Sequence, residues 1–420
     1  MPSSSSFRAA AAWWCSRVAL LLYAAHQPVP RGDVAYYFRG LEAEAGGERA
    51  LTEYPDASVM PLRALHALAG SDHQSLAVAL MVLLLSLDAL FCYALARRRA
   101  WWAYGFWLLF GLALAPLFTR RLDLLPGLAV GAAALWLARA PRLASGLLAL
   151  ATALKLWPLA LASGLVGRAR AAGTWVRLAW FGGTLTGLLA LSGLTQGWWR
   201  VVSPLTYQDE RGLQSEAIAA TPLLWLRAMN PGRWDIRYAA SQSYEVFGPG
   251  VGAGLTVATG LTAATALLIA GVTLGRFLRA APLPPVESTT SAAPAESAAG
   301  AAREAGYRPA TTRALWLLTA LLIIVSAKVF SPQYLLWVGP LVAVMLALDP
   351  SRPLRWCAAL LLGAAALTSL VYPVFFDAFL ASEPGIVAVA SARNLLIVAA
   401  AGCAAACAWR ELRAEKDPTR

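Results

Sequence analysis

The chain has 420 residues, of which 59% are hydrophobic and 14% charged, with a net charge of +12. Soluble domains carry about 25% charged residues, so this composition excludes an ordinary water-soluble fold and calls for a surface that faces lipid. The positive charge lies in short arginine clusters between apolar runs, the pattern that orients a membrane protein, and it implies no nucleic-acid partner.

A helix that crosses a bilayer needs about 20 apolar residues. In chain order such runs are expected at 10–26, 75–96, 101–118, 124–138, 143–166, 174–193, 251–275, 313–330, 332–348, 354–372 and 386–409. The fold class is therefore all-α integral membrane, a multi-pass helical bundle of about 10–12 transmembrane segments. No Ala-x-Ala cleavage signal follows the first run, which reads as a retained helix. Many of the 17 tryptophans sit at run ends (Trp13, Trp14, Trp101, Trp102, Trp198, Trp199, Trp356), where indoles anchor at the membrane–water boundary.

The run 143–166 carries Lys155 and Pro158 at its middle and has arginines on both flanks (Arg139 and Arg142; Arg168 and Arg170). Two half-helices meeting at Lys155-Leu156-Trp157-Pro158 and returning to one side satisfy that charge pattern, and Pro158 breaks the ladder where the reversal is needed. A single crossing is the alternative, and it inverts everything downstream. With the hairpin, both termini and most short arginine-bearing links are cytoplasmic, while the long segments 27–74 and 194–250 are outside. The stretch Ala280 to Ala305, rich in Ala, Ser, Pro and Thr, buries no core and reads as a flexible linker. The expected organisation is an N-terminal membrane module 1–279, a linker 280–312, a C-terminal module 313–409 and a cytoplasmic tail 410–420.

Neither the three histidines nor the five cysteines show metal-ligand spacing, and no phosphate loop, dinucleotide fingerprint or zinc-hydrolase motif occurs in a suitable context. No metal or cofactor is expected. Ionisable residues at membrane depth are costly and mark function by default. Asp33, directly after the first helix, either starts a short helix or acts as a general base on an attacking hydroxyl. Arg120 and Arg121, on a short outer link with Asp123, offer guanidinium forks to a phosphate, or pair with Asp123 or lipid headgroups. Lys155, Lys328 and Arg393 reach similar depth on one side if the hairpin holds, which points to an anionic ligand; each alone fits snorkelling. Asp88, in mid-helix, is expected to have a buried structural partner. The segment around Tyr207, Arg211, Gln214, Glu216 and Tyr244 is rich in amides, hydroxyls and aromatics suited to sugars, or is an amphipathic surface lying on the bilayer.

Four motifs stand in order: Asp33 followed by Tyr54-Pro55; Thr152-Ala-Leu-Lys155-Leu-Trp-Pro158; Arg211-Gly-Leu-Gln214-Ser-Glu216-Ala-Ile-Ala-Ala-Thr221-Pro222; and Lys328-Val-Phe-Ser-Pro332-Gln333-Tyr334. In these the chain resembles the polyprenol-phosphate-sugar-dependent glycosyltransferases of GT-C architecture, and within them glycosyltransferase family 87, which includes actinobacterial mannosyltransferases. The resemblance covers most of the chain. It implies a GT-C-like bundle with a broken helix and long outer loops, and a catalytic carboxylate in the first outer loop that falls on Asp33. It further implies a lipid-phosphate sugar donor and inversion at the anomeric carbon. Relatives carry Tyr-Pro-Pro where this chain has Tyr54-Pro55-Asp56.

The expected activity is transfer of a hexose, mannose by the resemblance, from a polyprenyl-phosphate sugar to a glycolipid or glycan acceptor at the outer face of the cell membrane. Asp33 serves as base. Lys155, Lys328, Arg393, Arg120 and Arg121 hold the donor phosphate. Asp123, Tyr36, Tyr54, Arg211, Gln214, Glu216, Gln333 and Tyr334 bind sugar on donor or acceptor. A transporter or flippase for an anionic lipid or sugar is the competing class, because broken helices and intramembrane cations serve it too. A non-catalytic assembly factor is the third.

Overall fold

The computed structural model describes residues 4–26, 33–70, 72–209, 211–279 and 307–416; of residues 4–6, 33, 208 and 209 it describes the backbone alone. Most of the expected linker, the tail beyond 416, residues 30–32 and Glu210 thus lie outside the described residues, as does the side chain of Asp33.

The helices run in chain order α1 (Ser4–His26), α2 (Asp33–Ala45), α3 (Asp56–Ala69), α4 (His73–Ala96), α5 (Trp101–Ala113), α6 (Ala115–Phe118), α7 (Leu124–Trp136) and α8 (Pro141–Leu154). They continue with α9 (Ala172–Gln196), α10 (Trp199–Asp209), α11 (Thr221–Met229), α12 (Val251–Phe277), α13 (Pro309–Ser326), α14 (Leu335–Leu348), α15 (Arg352–Ser369), α16 (Phe376–Ala381) and α17 (Pro384–Lys416). Among the described residues six segments are long and apolar enough to cross a membrane: α4, α9, α12, α13, Arg352–Val374 and α17; α5, α7, α8, Ile218–Met229 and Pro332–Leu348 are shorter apolar pieces. The protein is a membrane-embedded helical bundle. It is not wholly helical: β1 (Asp235–Tyr238) and β2 (Tyr244–Phe247) form an antiparallel hairpin in the second long segment. Outside the bilayer, water supports a sheet edge that lipid does not.

α14 is the central pillar. Its run Leu335-Leu-Trp-Val-Gly-Pro-Leu-Val-Ala-Val-Met-Leu346 is buried on every side, as an all-round apolar helix must be. α7 lies against it because Gly127 and Gly131 remove the side chains between them. A Cβ on Gly127 would come 2.2 Å from the Leu336 carbonyl oxygen, and one on Gly131 would come 2.8 Å from Pro340. Small residues four apart allow such backbone approach. By contrast, α9 and α12 turn apolar side chains outward (Leu191, Leu194, Val257, Leu267, Leu274), an arrangement stable only against lipid.

One end of the bundle is rich in arginine. There Arg313 donates to the Ala134 carbonyl and pairs with Asp349 at 2.8 Å, while Arg276 and Arg279 both pair with Glu415. These pairs keep the last helix going past the expected end at 409: Glu411 and Glu415 are buried against the neighbouring arginines, so residues 410–416 belong to α17. Trp101, Trp102, Trp136 and Trp356 are exposed near this rim, as interfacial anchors. Trp13 is not one of them. α1 starts at Ser4, which carries Trp13 inward, and its indole donates to Asp88 at 2.7 Å. Asp88 also accepts from Arg17 (2.7 and 2.8 Å) and Trp107 (2.8 Å) with no exposure to solvent, the buried structural partnership expected of it.

The segment at 143–166 is a hairpin. α8 enters from the arginine-rich end, stops at Leu154, and Lys155 turns extended (φ −158°, ψ 141°). A 3-10 helix at Trp157–Leu165 carries the chain back. At the arginine-rich end again, the Gly164 carbonyl accepts from Thr312 (2.8 Å) and Arg276 (3.1 Å), and the Leu165 carbonyl accepts from Arg177 (2.9 Å). The lengths agree. Fourteen α-helical residues advance about 21 Å and nine 3-10 residues return about 18 Å. Lys155 is therefore presented at the opposite end.

Candidate functional site

That opposite end holds a cavity of about 1050 Å³. It is walled by α2, the connection from α2 to α3, the Lys155 turn, the segment 207–216, the β-hairpin, the 331–334 turn and residues 372–378.

Lys155 sits at its base. Its ammonium lies 2.6 Å from Asp123 Oδ1, which also accepts the Trp337 indole N–H at 2.7 Å. Asp123 is one turn before Gly127, and Trp337 follows Leu336, so the close approach of α7 and α14 sets this geometry. The ammonium is ringed by Tyr54, Tyr334 and Trp337, with ring centres 5.6, 5.8 and 5.6 Å away. Trp337 itself stacks between Tyr334 and Trp157. On the other side, Ser58 of α3 donates to the Leu154 carbonyl at 2.6 Å, satisfying an acceptor that the broken helix leaves open.

Arg211 reaches the wall through a glycine-dependent contact. The Gly212 amide donates to Glu245 Oε1 at 2.9 Å, and a Cβ at Gly212 would come 2.3 Å from Glu245 Oε2. Gln214 is fixed through its backbone, its amide donating to the Lys328 carbonyl at 3.0 Å. Arg121 donates to the Tyr372 hydroxyl at 3.3 Å across the cavity wall. Glu216 receives the wholly buried Arg393, whose Nη1 and Nη2 reach its carboxylate and its carbonyl.

Of the residues expected to bind phosphate, Lys155 and Arg121 line the cavity; Arg120, Lys328 and Arg393 do not. Arg393 is occupied by Glu216, and Lys328 contributes its carbonyl to the Gln214 turn. Of the expected sugar-binding set, Tyr36, Tyr54, Arg211, Gln214, Glu216, Gln333 and Tyr334 line the cavity, while Asp123 lies beneath it as the partner of Lys155. Asp33 is the first residue of α2, one turn before Tyr36.

Glu53 was not among the candidates read from the sequence. Glu53 lines the cavity beside Tyr54. Burial pushes its carboxyl above the usual range, and the Tyr36 hydroxyl, Lys155 and Arg211 only partly offset this. Burial, and next the same carboxylate, push the Tyr36 and Tyr207 hydroxyls upward in turn. Arg39, Tyr238, Tyr372, Phe375, Phe376 and Asp377 also line the cavity and were equally unforeseen. Only an acid next to a motif aromatic (Glu53-Tyr54) was there to be noticed. Among the described residues no group of three or more His, Cys, Asp or Glu forms a metal site.

No protein-family model, curated protein or solved structure matches the chain.

Proposed function

We propose that this chain is a membrane glycosyltransferase that moves a hexose, mannose by the resemblance of its motifs, from a polyprenyl-phosphate sugar to a glycolipid or glycan acceptor. The observation that carries the reading is the joining of Lys155, Arg121 and Arg211 with a buried carboxyl and several tyrosines in one cavity at one end of a membrane bundle. Cations suit a phosphate, and aromatic faces with amides suit sugar rings and hydroxyls. The positive-inside rule assigns an arginine-rich end to the cytoplasm, which supports a cavity on the extracytoplasmic side of the cell membrane.

In this scheme an acceptor hydroxyl attacks the anomeric carbon from the face opposite the phosphate. The C–O bond to phosphate breaks, its electron pair stays with the polyprenyl phosphate, and the hydroxyl proton passes to a carboxylate, Asp33 by resemblance. Lys155, Arg121 and Arg211 stabilise the charge that builds on the departing phosphate, the largest contribution a fixed site makes. The hairpin at Lys155 also suits a transporter or flippase, whose site sits near mid-membrane; a cavity walled largely by connecting segments favours the transferase.

The test is radiolabelled transfer from purified polyprenyl-phosphate mannose in proteoliposomes bearing a candidate glycolipid. Labelled acceptor made by the wild type and lost in Asp33→Asn at equal expression supports the reading. Movement of the lipid across the bilayer with no transfer replaces it by the flippase.

A further inference from the structure

Three acids of the first outer segment, Glu44, Glu53 and Asp56, meet different surroundings. Glu44 and Asp56 are spent on structure: Arg63 bridges both at 3.0 and 2.7 Å, and the wholly buried Arg200 of α10 reaches Glu44 at 2.7 Å. Those pairs tie α2, α3 and α10 together. Glu53 lies between them in sequence and takes no part in the network. It faces the cavity instead, and its Oε2 is buried without a hydrogen-bond partner among the described residues.

Two further buried polar atoms on residues that line the cavity share that condition, Arg211 Nε and Gln214 Oε1. Native proteins leave few such groups unpaired, and each costs free energy until a partner arrives. Three around one cavity point to a ligand rich in both hydrogen-bond donors and acceptors. The surroundings of Glu53 narrow its class. The Tyr36 hydroxyl hydrogen-bonds the carboxyl, and Lys155 and Arg211 act on it through their charge. Tyr54, the next residue, places its ring 5.6 Å from the Lys155 ammonium, and Glu53 lines the same cavity as that cation. A carboxylate accepts two hydroxyls side by side, which a sugar presents and a bare phosphate does not.

We propose that Glu53 is the sugar-holding carboxyl of the cavity, accepting hydrogen bonds from hydroxyls of a hexose whose phosphate lies against Lys155 and Arg211. This rests on the glycosyltransferase reading, and it adds a division of labour. The cations hold the lipid phosphate whether or not a sugar is attached, and Glu53 senses the sugar alone.

The experiment measures binding of polyprenyl phosphate and of polyprenyl-phosphate mannose to the full-length protein in nanodiscs. Wild type, Glu53→Leu, Glu53→Gln and Lys155→Met are compared, each with its thermal transition recorded. Glu53→Leu is expected to weaken the mannose-bearing lipid about tenfold or more, the loss of one or two hydrogen bonds to a charged group, and not to weaken the bare lipid phosphate. Lys155→Met weakens both. Glu53→Gln, close in shape, carries the comparison if the leucine variant does not fold, and is expected to show a smaller loss confined to the mannose-bearing lipid. Wild-type binding of both lipids by folded Glu53 variants overturns the proposal and leaves the transferase reading standing. Failure of the wild type to bind either lipid overturns the transferase reading itself.

Discussion

The Lys155 ammonium and the Asp123 carboxylate meet at 2.6 Å, with Asp123 fully buried and the lysine side chain 22% exposed toward the cavity. The asymmetry matters: removing the lysine strands a buried charge, whereas removing the charge of Asp123 leaves a lysine that still has access to the cavity. Lys155→Met is expected to cost about 3–5 kcal/mol, the range for breaking one side of a buried pair, and Asp123→Asn less. Thermal unfolding in detergent ranks them. The double variant Lys155→Met/Asp123→Asn recovers stability relative to Lys155→Met but not sugar transfer.

Gly127 permits that pair to form. Its absent Cβ is what allows the Leu336 carbonyl to approach, and Asp123 and Trp337 meet one step away on the same two helices. Gly127→Ala is expected to push α7 from α14 and destabilise by at least about 1–3 kcal/mol, the usual cost of overpacking. The proposed transfer is expected to fall further than the loss of folded protein explains, because the Lys155 ammonium loses its fixed seat. Gly182→Ala, where a Cβ meets nothing within 4 Å, is the control and leaves both quantities near wild type.

Glu53 gives a pH signature. Its folded-state carboxyl binds a proton more tightly than the ordinary value of 4.5 because it is buried. Below the ordinary value both folded and unfolded chains hold the proton, and the residue makes no difference. As the pH rises above it the unfolded chain releases its proton first, so the folded state loses stability until the raised value is passed. Glu53→Gln removes this effect. The ligand-free variant should therefore match the wild-type melting temperature at pH 4 and exceed it at pH 7.5. A difference of the opposite sign would mean the carboxyl is held ionised by its neighbours.

The hairpin at Lys155 is checked by labelling. On a background without native cysteines, Ala138→Cys and Ala172→Cys flank the hairpin and should react with an impermeant maleimide from one face of sealed vesicles. Ala240→Cys, by the β-hairpin at the cavity end, should react from the other. Labelling of 138 and 172 from opposite faces would replace the hairpin with a single crossing and invert the orientation of everything after it.

The membrane class, the helices and the break at Lys155 were legible in the sequence because hydropathy, proline and flanking arginine act locally, over one or two turns. The hairpin followed from charges within about 15 residues of it, the range over which the positive-inside rule works. The destination of each ionisable group was not legible. Lys155 looked like a bare phosphate clamp until Asp123, 32 positions earlier, proved to be its partner, and Arg393 until Glu216, 177 positions away, did. Glu53, Glu44 and Asp56 are alike in sequence terms, and only packing sent two of them to arginines and one to the cavity. A charge in low dielectric is defined by what neutralises it, and the chain chooses that neighbour only when it folds.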